Sequence, residues 1–418
     1  MRTEAEYADY LRKCIRCGFC QPVCPLFAEL REEGVLARAK VRLANDFLTG
    51  KLQATPRLKE LFSLCLDCRA CESVCPARVP THEIVKEMRD KLQKVSSPDQ
   101  KLYKFASVIL ARPRIARNLA STFAFTSSGL NKTGITKLMK KLVPLARQAG
   151  DIFPPLAKEP FFNTRKRPPN GHVETPNPKK TIAYFVGCAT NYFFPEIAHA
   201  VVKVLEKNGF TVLTPPAVIC CGLPLSSGGE HQSSRVLASQ VVKQFSILDA
   251  DVIVTDCAGC SVHLKEYGEL WPDLPGANDF SAKIQDISSF MVAEGLKAGS
   301  TPVTCKVTYH DPCHLGRAQG VYAEPRKVLT EIKGLELIEM EESDRCCGGS
   351  GLFGVTHHRL SIQVLARKLD NIEKTGTGLV ATSCPSCRIQ LERGIKTQVV
   401  ERVVHPVELF ALTWNEGA

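Results

Sequence analysis

Nineteen cysteines in 418 residues constrain this chain more than any other feature of its sequence. They occur in clusters with regular spacing, so they must serve as disulfides, redox thiols or metal ligands. The N-terminus has no apolar stretch typical of a secretory signal, which favours a reducing compartment and metal ligation. We therefore expect a cytoplasmic protein. Docking at the inner face of the cytoplasmic membrane is an alternative that the net charge of +11 allows.

Two runs near the N-terminus share the spacing C-x2-C-x2-C-x3-C-P, which is typical of bacterial ferredoxins that hold two 4Fe-4S cubane clusters. In such proteins the first three cysteines of a run bind one cluster and the fourth binds the other. The predicted ligands are Cys14, Cys17, Cys20 and Cys75 for cluster 1, and Cys65, Cys68, Cys71 and Cys24 for cluster 2. A pair of zinc sites is the alternative, although zinc usually takes its cysteines as two CxxC pairs.

The C-terminal half contains an internal repeat. Three landmarks recur at offsets of 125, 126 and 127 residues: a single cysteine after an apolar run, a CCG and a CxxC. The constant offset predicts two copies of one structural unit, each with five cysteines. They are Cys188, Cys220, Cys221, Cys257 and Cys260 in the first copy, and Cys313, Cys346, Cys347, Cys384 and Cys387 in the second. This recurrence favours a polynuclear metal site over a thioredoxin-like redox pair or a vicinal disulfide.

Apolar β-branched runs alternate with amphipathic segments from residue 181 onward, which predicts βαβ units around parallel sheets. Several of the cysteines follow such runs, so they should emerge at the carboxyl ends of strands, where open α/β sheets bind ligands. The predicted fold is an α+β multidomain protein, with a helical two-cluster ferredoxin domain followed by two repeated α/β domains. The predicted boundaries are 1–95 for the ferredoxin-like domain, 96–150 for packing helices, 151–180 for a proline-rich basic linker, and 181–300 and 301–418 for the repeats.

The pattern C-x31-CCG-x34-CxxC and its second copy, preceded by two ferredoxin runs, resembles the iron–sulfur subunits of glycolate oxidase and lactate dehydrogenase complexes. Related proteins are the anaerobic glycerol-3-phosphate dehydrogenase C subunit and heterodisulfide reductase subunits, in which such CCG domains hold noncubane 4Fe-4S clusters. The resemblance implies that each five-cysteine set is a ligand set. It therefore implies one or two iron–sulfur clusters beyond the two cubanes, with zinc at one site as an alternative.

The same resemblance implies an oxidoreductase subunit that carries electrons from a separate FAD-containing dehydrogenase of glycolate, lactate or a similar 2-hydroxy acid. An electron-transfer flavoprotein or a quinone at the membrane are further expected partners. The alternative is a heterodisulfide- or quinone-reductase-type subunit whose CCG cluster is the active site. No FAD or NAD site is expected on this chain, because the GxGxxG match at residues 349–354 follows a cysteine pair rather than a strand. Nucleic-acid binding is not expected either.

Titratable residues flank the first cysteine of the second set. His310, Asp311 and His314 surround Cys313 and form a candidate proton relay beside a site where a substrate would be reduced. Hydrogen bonding to the metal site is the favoured alternative for these side chains. The nineteenth cysteine, Cys305, lies outside every set at the start of a strand-like run, and we predict that it is a small buried residue.

Overall fold

The computed structural model describes residues 4–95, 154–164 and 179–414. The packing helices predicted at 96–150 lie outside the described residues, as does most of the linker predicted at 151–180, and the five domain boundaries stay predictions. Within the linker range, the short helix Phe161–Thr164 buries Phe161 edge-on against Tyr184 and His199. This part of the linker range therefore packs against the first repeat.

Short helices form the N-terminal domain, because its two cysteine runs interrupt the chain at close intervals. Its α-helices are Glu4–Arg12, Cys20–Val23, Pro25–Leu30, Ala37–Leu48, Pro56–Ser63, Ala70–Ser73 and Thr81–Lys91, and its 3-10 turns are Glu33–Val35 and Leu92–Lys94. The helix Ala37–Leu48 buries Val41 and Ala44 in a core that also contains Phe62 and Met88. The domain is helical, as the long separation between the runs predicts.

Each repeat forms a four-stranded parallel sheet. The strands are β1 (Thr181–Phe185), β2 (Thr211–Leu213), β3 (Val252–Thr255), β4 (Ile284–Asp286), β5 (Cys305–Tyr309), β6 (Leu335–Ile338), β7 (Leu379–Ala381) and β8 (Arg402–Val404). Their order is β2-β1-β3-β4 in the first sheet and β6-β5-β7-β8 in the second. The identical topologies confirm the predicted repeat. Cys305 opens β5 as predicted, but it is half-buried rather than buried, because it lies at the less covered first end of that strand.

Helices cover both sheets. In the first repeat they are Cys188–Phe193, Pro195–Lys207, Leu223–Ser227, His231–Phe245, Ala258–Lys265, Tyr267–Leu270, Ala277–Ala282 and Ile287–Ala293. In the second they are Gly316–Gln319, Ala323–Thr330, Phe353–Thr356, His358–Glu373, Pro385–Leu391 and Pro406–Leu412, with a 3-10 helix at Glu392–Thr397. Side chains of both repeats enter the same hydrophobic core, in which Val204 and Leu205 join Phe410. The two repeats therefore pack directly on each other.

The ferredoxin-like domain packs against both repeats. Arg69 Nη2 donates a hydrogen bond to Glu266 of the first repeat at 2.5 Å, and Leu66 belongs to a buried cluster that contains Phe353 of the second. Gly229 has a left-handed φ of +85°, and a Cβ atom there would lie 2.6 Å from the backbone nitrogen of Asp90. Glycine thus permits a close approach of the two backbones.

Candidate metal centre

The four cysteines assigned to cluster 1 line one small cavity in the N-terminal domain, together with Cys71 of the other set. The fourth cysteine of the first run, Cys24, lies instead beside Cys68 and Cys65. Burial, and then the proximity of these two thiols, raises the pKa of Cys24 to about 11. This arrangement is the one that exchanged fourth cysteines require. The ligand sets themselves stay predictions.

Both ferredoxin-type runs turn in the same unusual way. Arg16 and Gly18 in the first run, and Asp67 and Arg69 at the matching positions of the second, have φ angles of 57°, 89°, 52° and 55°. A left-handed non-glycine residue costs about 1–3 kcal/mol and persists only where its surroundings hold it. The backbone of each run is therefore held in a tight turn that directs its first three thiols toward one point.

All ten cysteines of the two CCG sets line a single cavity between the repeats. Cys188 and Cys313 follow β1 and β5, and Cys257 and Cys384 follow β3 and β7, so the carboxyl ends of the two sheets face each other across this cavity. The sequence predicts strand-end positions for these cysteines, and the structure confirms them. What spacing alone does not predict is that the two sets share one space.

The thiols of each set interact in matching pairs. Cys188 interacts with Cys220, and Cys313 with Cys346, each pair joining the single cysteine to the first of the vicinal cysteines. Likewise Cys221 interacts with Cys260 in the first set, and Cys347 with Cys387 in the second. A further contact, between Cys257 and Cys384, links the two sets to each other. Two metal centres held by these sets would therefore be immediate neighbours.

The acidities of these thiols show what the cavity lacks. Interaction with Cys220 and Cys260 lowers the pKa of Cys221 to about 5, whereas interaction with Cys221 and Cys257, followed by burial, raises that of Cys260. Each thiolate is thus stabilised by protons that its neighbours retain. Ten closely packed sulfurs cannot all ionise without cations to offset their charge. Iron ions bound by thiolates supply such a charge, so the donor set fits a polynuclear metal centre.

Glycine follows each vicinal pair and closes it against a helix. The N–H of Gly222 donates to Cys220 Sγ at 3.4 Å, and that of Gly348 donates to Cys346 Sγ at 3.5 Å. Both glycines are left-handed, and a Cβ atom at either would lie 2.7 Å from a serine oxygen in a helix of the same repeat. N–H groups that donate to ligand sulfurs stabilise thiolates and tune the reduction potential of a cluster.

The two copies differ at the end of their first strands. His310 occupies the position of Phe185, and its ring lies with Cys347 and Cys387 in a group whose donor atoms are all within 4.8 Å of one another. Neither ring nitrogen makes a hydrogen bond of normal geometry within the described residues. Burial lowers the pKa of His310 to about 3, so the ring is neutral and offers one N–H donor and one acceptor.

The other two residues of the candidate relay lead to different partners. Asp311 is buried and accepts two hydrogen bonds from Arg326, at 2.8 and 2.9 Å. Its carboxylate is thus held by a cation. His314 lies with Nδ1 3.4 Å from Cys313 Sγ and with Nε2 4.0 Å from Asp67 of the ferredoxin-like domain. Proton relay stays a prediction, with His310 and His314 lining the cavity.

The junction between the ferredoxin-like domain and the cavity is a contact that sequence reasoning missed. The thiol of Cys68, assigned to cluster 2, interacts with that of Cys346 in the second CCG set. Arg317 Nη1 donates to the carbonyl of Cys68 at 3.3 Å, and Leu66 and Phe353 pack around the contact. No local pattern signals this contact, because its partners lie in different domains.

A buried acid beside the first CCG set was also missed. Asp256 directly precedes Cys257 and accepts hydrogen bonds from the hydroxyl groups of Tyr184, at 2.7 Å, and Thr190. Burial raises the pKa of Asp256 to about 6 although both hydroxyls oppose the rise. An acid next to a predicted ligand at a strand end was the available signal. In the second repeat, Ser383 takes its place and accepts from Tyr309 at 3.0 Å.

The described ranges contain no helix with the length and apolar character needed to cross a bilayer.

Comparison with known families agrees with the two kinds of cysteine set. The model of the 4Fe-4S dicluster domain matches residues 10–79, and that of the cysteine-rich domain matches twice, at 182–265 and 307–392. Both matches indicate iron–sulfur clusters. A hypothetical protein from Helicobacter pylori of known crystal structure aligns over 100% of this chain and 74% of its own, with a TM-score of 0.53 and 10% identity. That likeness concerns the fold.

Curated relatives match over almost the whole chain. The probable glycolate oxidase iron–sulfur subunit of Bacillus subtilis is 31% identical, covering 96% of this chain and 93% of the relative. The glycolate oxidase iron–sulfur subunit of Escherichia coli is 26% identical over 94% and 93%. A subunit of the dihydromethanophenazine:CoB--CoM heterodisulfide reductase of Methanosarcina barkeri is 26% identical over 96% and 93%. From these full-length matches and from the cysteine sets described above, the chain belongs to the family of glycolate oxidase iron–sulfur subunits, which are subunits of oxidoreductases.

Proposed function

We propose that this chain is the electron-transfer subunit of a flavin-dependent dehydrogenase of a 2-hydroxy acid of the glycolate or lactate type. The contact between Cys68 and Cys346 is the observation that carries this proposal. It connects the ferredoxin-type sets with the CCG cavity, so that proposed ligands follow one another from the exposed Cys17 to the interior. Electron transfer between separate centres requires such short steps.

On this proposal the two ferredoxin-type sets hold 4Fe-4S cubanes, and at least one five-cysteine set holds a noncubane iron–sulfur cluster. When bound, such clusters supply one-electron carriers. The chain orients the sulfur ligands through the left-handed turns of the first two runs and through the strand ends of the repeats. It also donates backbone N–H groups to Cys220 and Cys346, and it buries eight of the ten CCG cysteines by packing the repeats together.

A disulfide or quinone reductase is the second candidate, because the CCG cavity contains groups that could assist proton-coupled reduction. His314 Nδ1 lies 3.4 Å from Cys313 Sγ, and the neutral His310 ring also lines the cavity. The similarity to a heterodisulfide reductase subunit of Methanosarcina barkeri supports this candidate. Reduction of a disulfide by the isolated, cluster-loaded chain with an artificial electron donor would favour it over a purely electron-conducting role.

Anaerobic copurification tests the proposal. We expect the full chain to copurify with an FAD-containing 2-hydroxy-acid dehydrogenase, and we expect glycolate or lactate to bleach the iron–sulfur absorbance only when that flavoprotein is present. The measurement is stopped-flow absorbance of the complex and of each component alone. A flavoprotein that reached full turnover with its natural acceptor in the absence of this chain would contradict the proposal.

A further inference from the structure

The outer faces of the two ferredoxin-type runs differ sharply in exposure. Ile15 and Phe19 of the first run are 68% and 59% exposed, whereas Leu66 and Ala70 at the matching positions of the second run are 2% and 3% exposed. Large apolar side chains with this exposure, close together on one loop, indicate an interaction site. The first run therefore presents a face that the second run buries.

The buried face shows what this surface of a run can bind. Leu66 and Ala70 pack in the same cluster as Cys346 and Phe353, which belong to the second CCG repeat. Asp67, between them, is buried and accepts a hydrogen bond from Ser227 of the first repeat at 3.1 Å. The second run thus uses its outer face to hold the next redox unit against cluster 2. The matching face of the first run lies next to cluster 1.

The exposed face carries the opposite charge. Arg16 takes the position of Asp67, and Arg12 and Lys13 are exposed beside it, with Lys13 paired to Asp9 at 3.0 Å. A partner that covers Ile15 and Phe19 would have to place carboxylates opposite these cations. Complementary charge at the rim of an apolar contact orients partners and accelerates association.

Electron exchange with a partner also requires a short distance to a cluster. Cys17, a proposed ligand of cluster 1, lies between Ile15 and Phe19 and is the exposed member of the nineteen cysteines. The CCG cysteines are buried or half-buried. A redox protein seated on the first run would therefore reach cluster 1 directly, and no other proposed site is as accessible.

We propose that Ile15, Cys17 and Phe19, with the surrounding cations Arg12, Lys13 and Arg16, form the docking surface for the FAD-containing subunit, which contacts it through an apolar patch rimmed by carboxylates. This inference rests on the proposed function. At this surface the reduced flavin of the partner is oxidised and the chain is reduced, in two one-electron transfers. The flavin protons pass to solvent. Electrons enter here because the titratable side chains that could serve a proton-coupled acceptor line the CCG cavity instead.

Two substitutions test the surface in the cluster-loaded full chain. Ile15→Asp places a charge in the apolar contact, and Arg16→Asp reverses the rim charge at a left-handed position that aspartate tolerates. Each is expected to raise the Kd for the FAD-containing dehydrogenase that copurifies with the wild-type chain at least about tenfold, as truncation of interface anchors does. Salt should weaken the wild-type complex more than that of Arg16→Asp. Kd is measured by biolayer interferometry under anaerobic conditions.

The matched control is Ile247→Asp, which makes the same change at an isoleucine that is 74% exposed on the first repeat. Its Kd should stay within twofold of the wild type. Iron content and visible absorbance show whether each variant is folded and loaded. Wild-type Kd values in loaded Ile15→Asp and Arg16→Asp variants would overturn the docking surface alone. Failure of the wild-type chain to bind any FAD-containing dehydrogenase would overturn the proposed function as well.

Discussion

Cys68→Ala is expected to reduce electron delivery from the FAD subunit to the final acceptor at least about 100-fold, a loss at the upper end of what changes near a metal site cause. Reduction of the flavin by the 2-hydroxy acid should stay within twofold of the wild-type rate. The reason is position, because the Cys68 thiol is a proposed ligand of cluster 2 and also contacts Cys346 of the CCG cavity. Pre-steady-state flavin absorbance and steady-state acceptor reduction measure the two rates separately.

Cys305→Ala is the matched control for this experiment. Cys305 is half-buried at the start of β5 and belongs to no ligand set, so its removal should leave both rates unchanged. If Cys68→Ala impaired flavin reduction as strongly as acceptor reduction, the chain would have a structural or regulatory role instead. Wild-type delivery in a variant that lacked cluster 2 would equally rule out the path through Cys68.

Asp67→Asn is expected to destabilise the junction between the ferredoxin-like domain and the repeats by about 3 to 5 kcal/mol, which is the usual loss when one partner of a buried ion pair is removed. Asp67 is buried, with Oδ2 3.4 Å from Lys86 Nζ and 3.1 Å from Ser227 Oγ. Burial favours its neutral form, but Lys86, His314 and other nearby cations hold the pKa of Asp67 well below its usual range. Asparagine keeps the shape and the left-handed backbone but leaves Lys86 buried without its counter-charge.

Anaerobic denaturant unfolding of the loaded protein measures this loss. Asp273→Asn is the control, because Asp273 forms a two-bonded pair with Arg235, at 2.7 and 3.1 Å, on the exposed surface of the first repeat. Exposed pairs contribute about 0 to 1 kcal/mol, so the control should unfold almost like the wild type. Equal stabilities of the two variants would show that Asp67 does not stabilise the junction.

Local spacing was sufficient to predict the ligand runs and much of the repeated fold. The cysteines Cys257 and Cys384 follow apolar runs and precede helices, so their positions at strand ends depend on residues close to them in sequence. The equal offsets of the CCG landmarks likewise predicted two sheets of the same topology, because each offset compares one position in two copies of the unit.

Contacts between distant segments could not be predicted in this way. The Cys68–Cys346 contact and the single cavity shared by both CCG sets depend on how three domains pack. Asp311 was grouped with two histidines because they are neighbours in sequence, yet its carboxylate binds Arg326 on the helix Ala323–Thr330. The opposite exposure of Ile15 and Leu66 is a further case, since the two runs have similar local sequences.

Metal analysis of the anaerobically purified protein tests most directly whether both kinds of cysteine set hold iron–sulfur clusters. Eighteen cysteines in the assigned sets, at about four or five per cluster, predict iron and acid-labile sulfide equivalent to at least about three 4Fe-4S clusters. Zinc should be less than stoichiometric if both CCG sets are loaded with iron. A content of about two clusters with stoichiometric zinc would contradict the assignment of an iron–sulfur cluster to the CCG cavity.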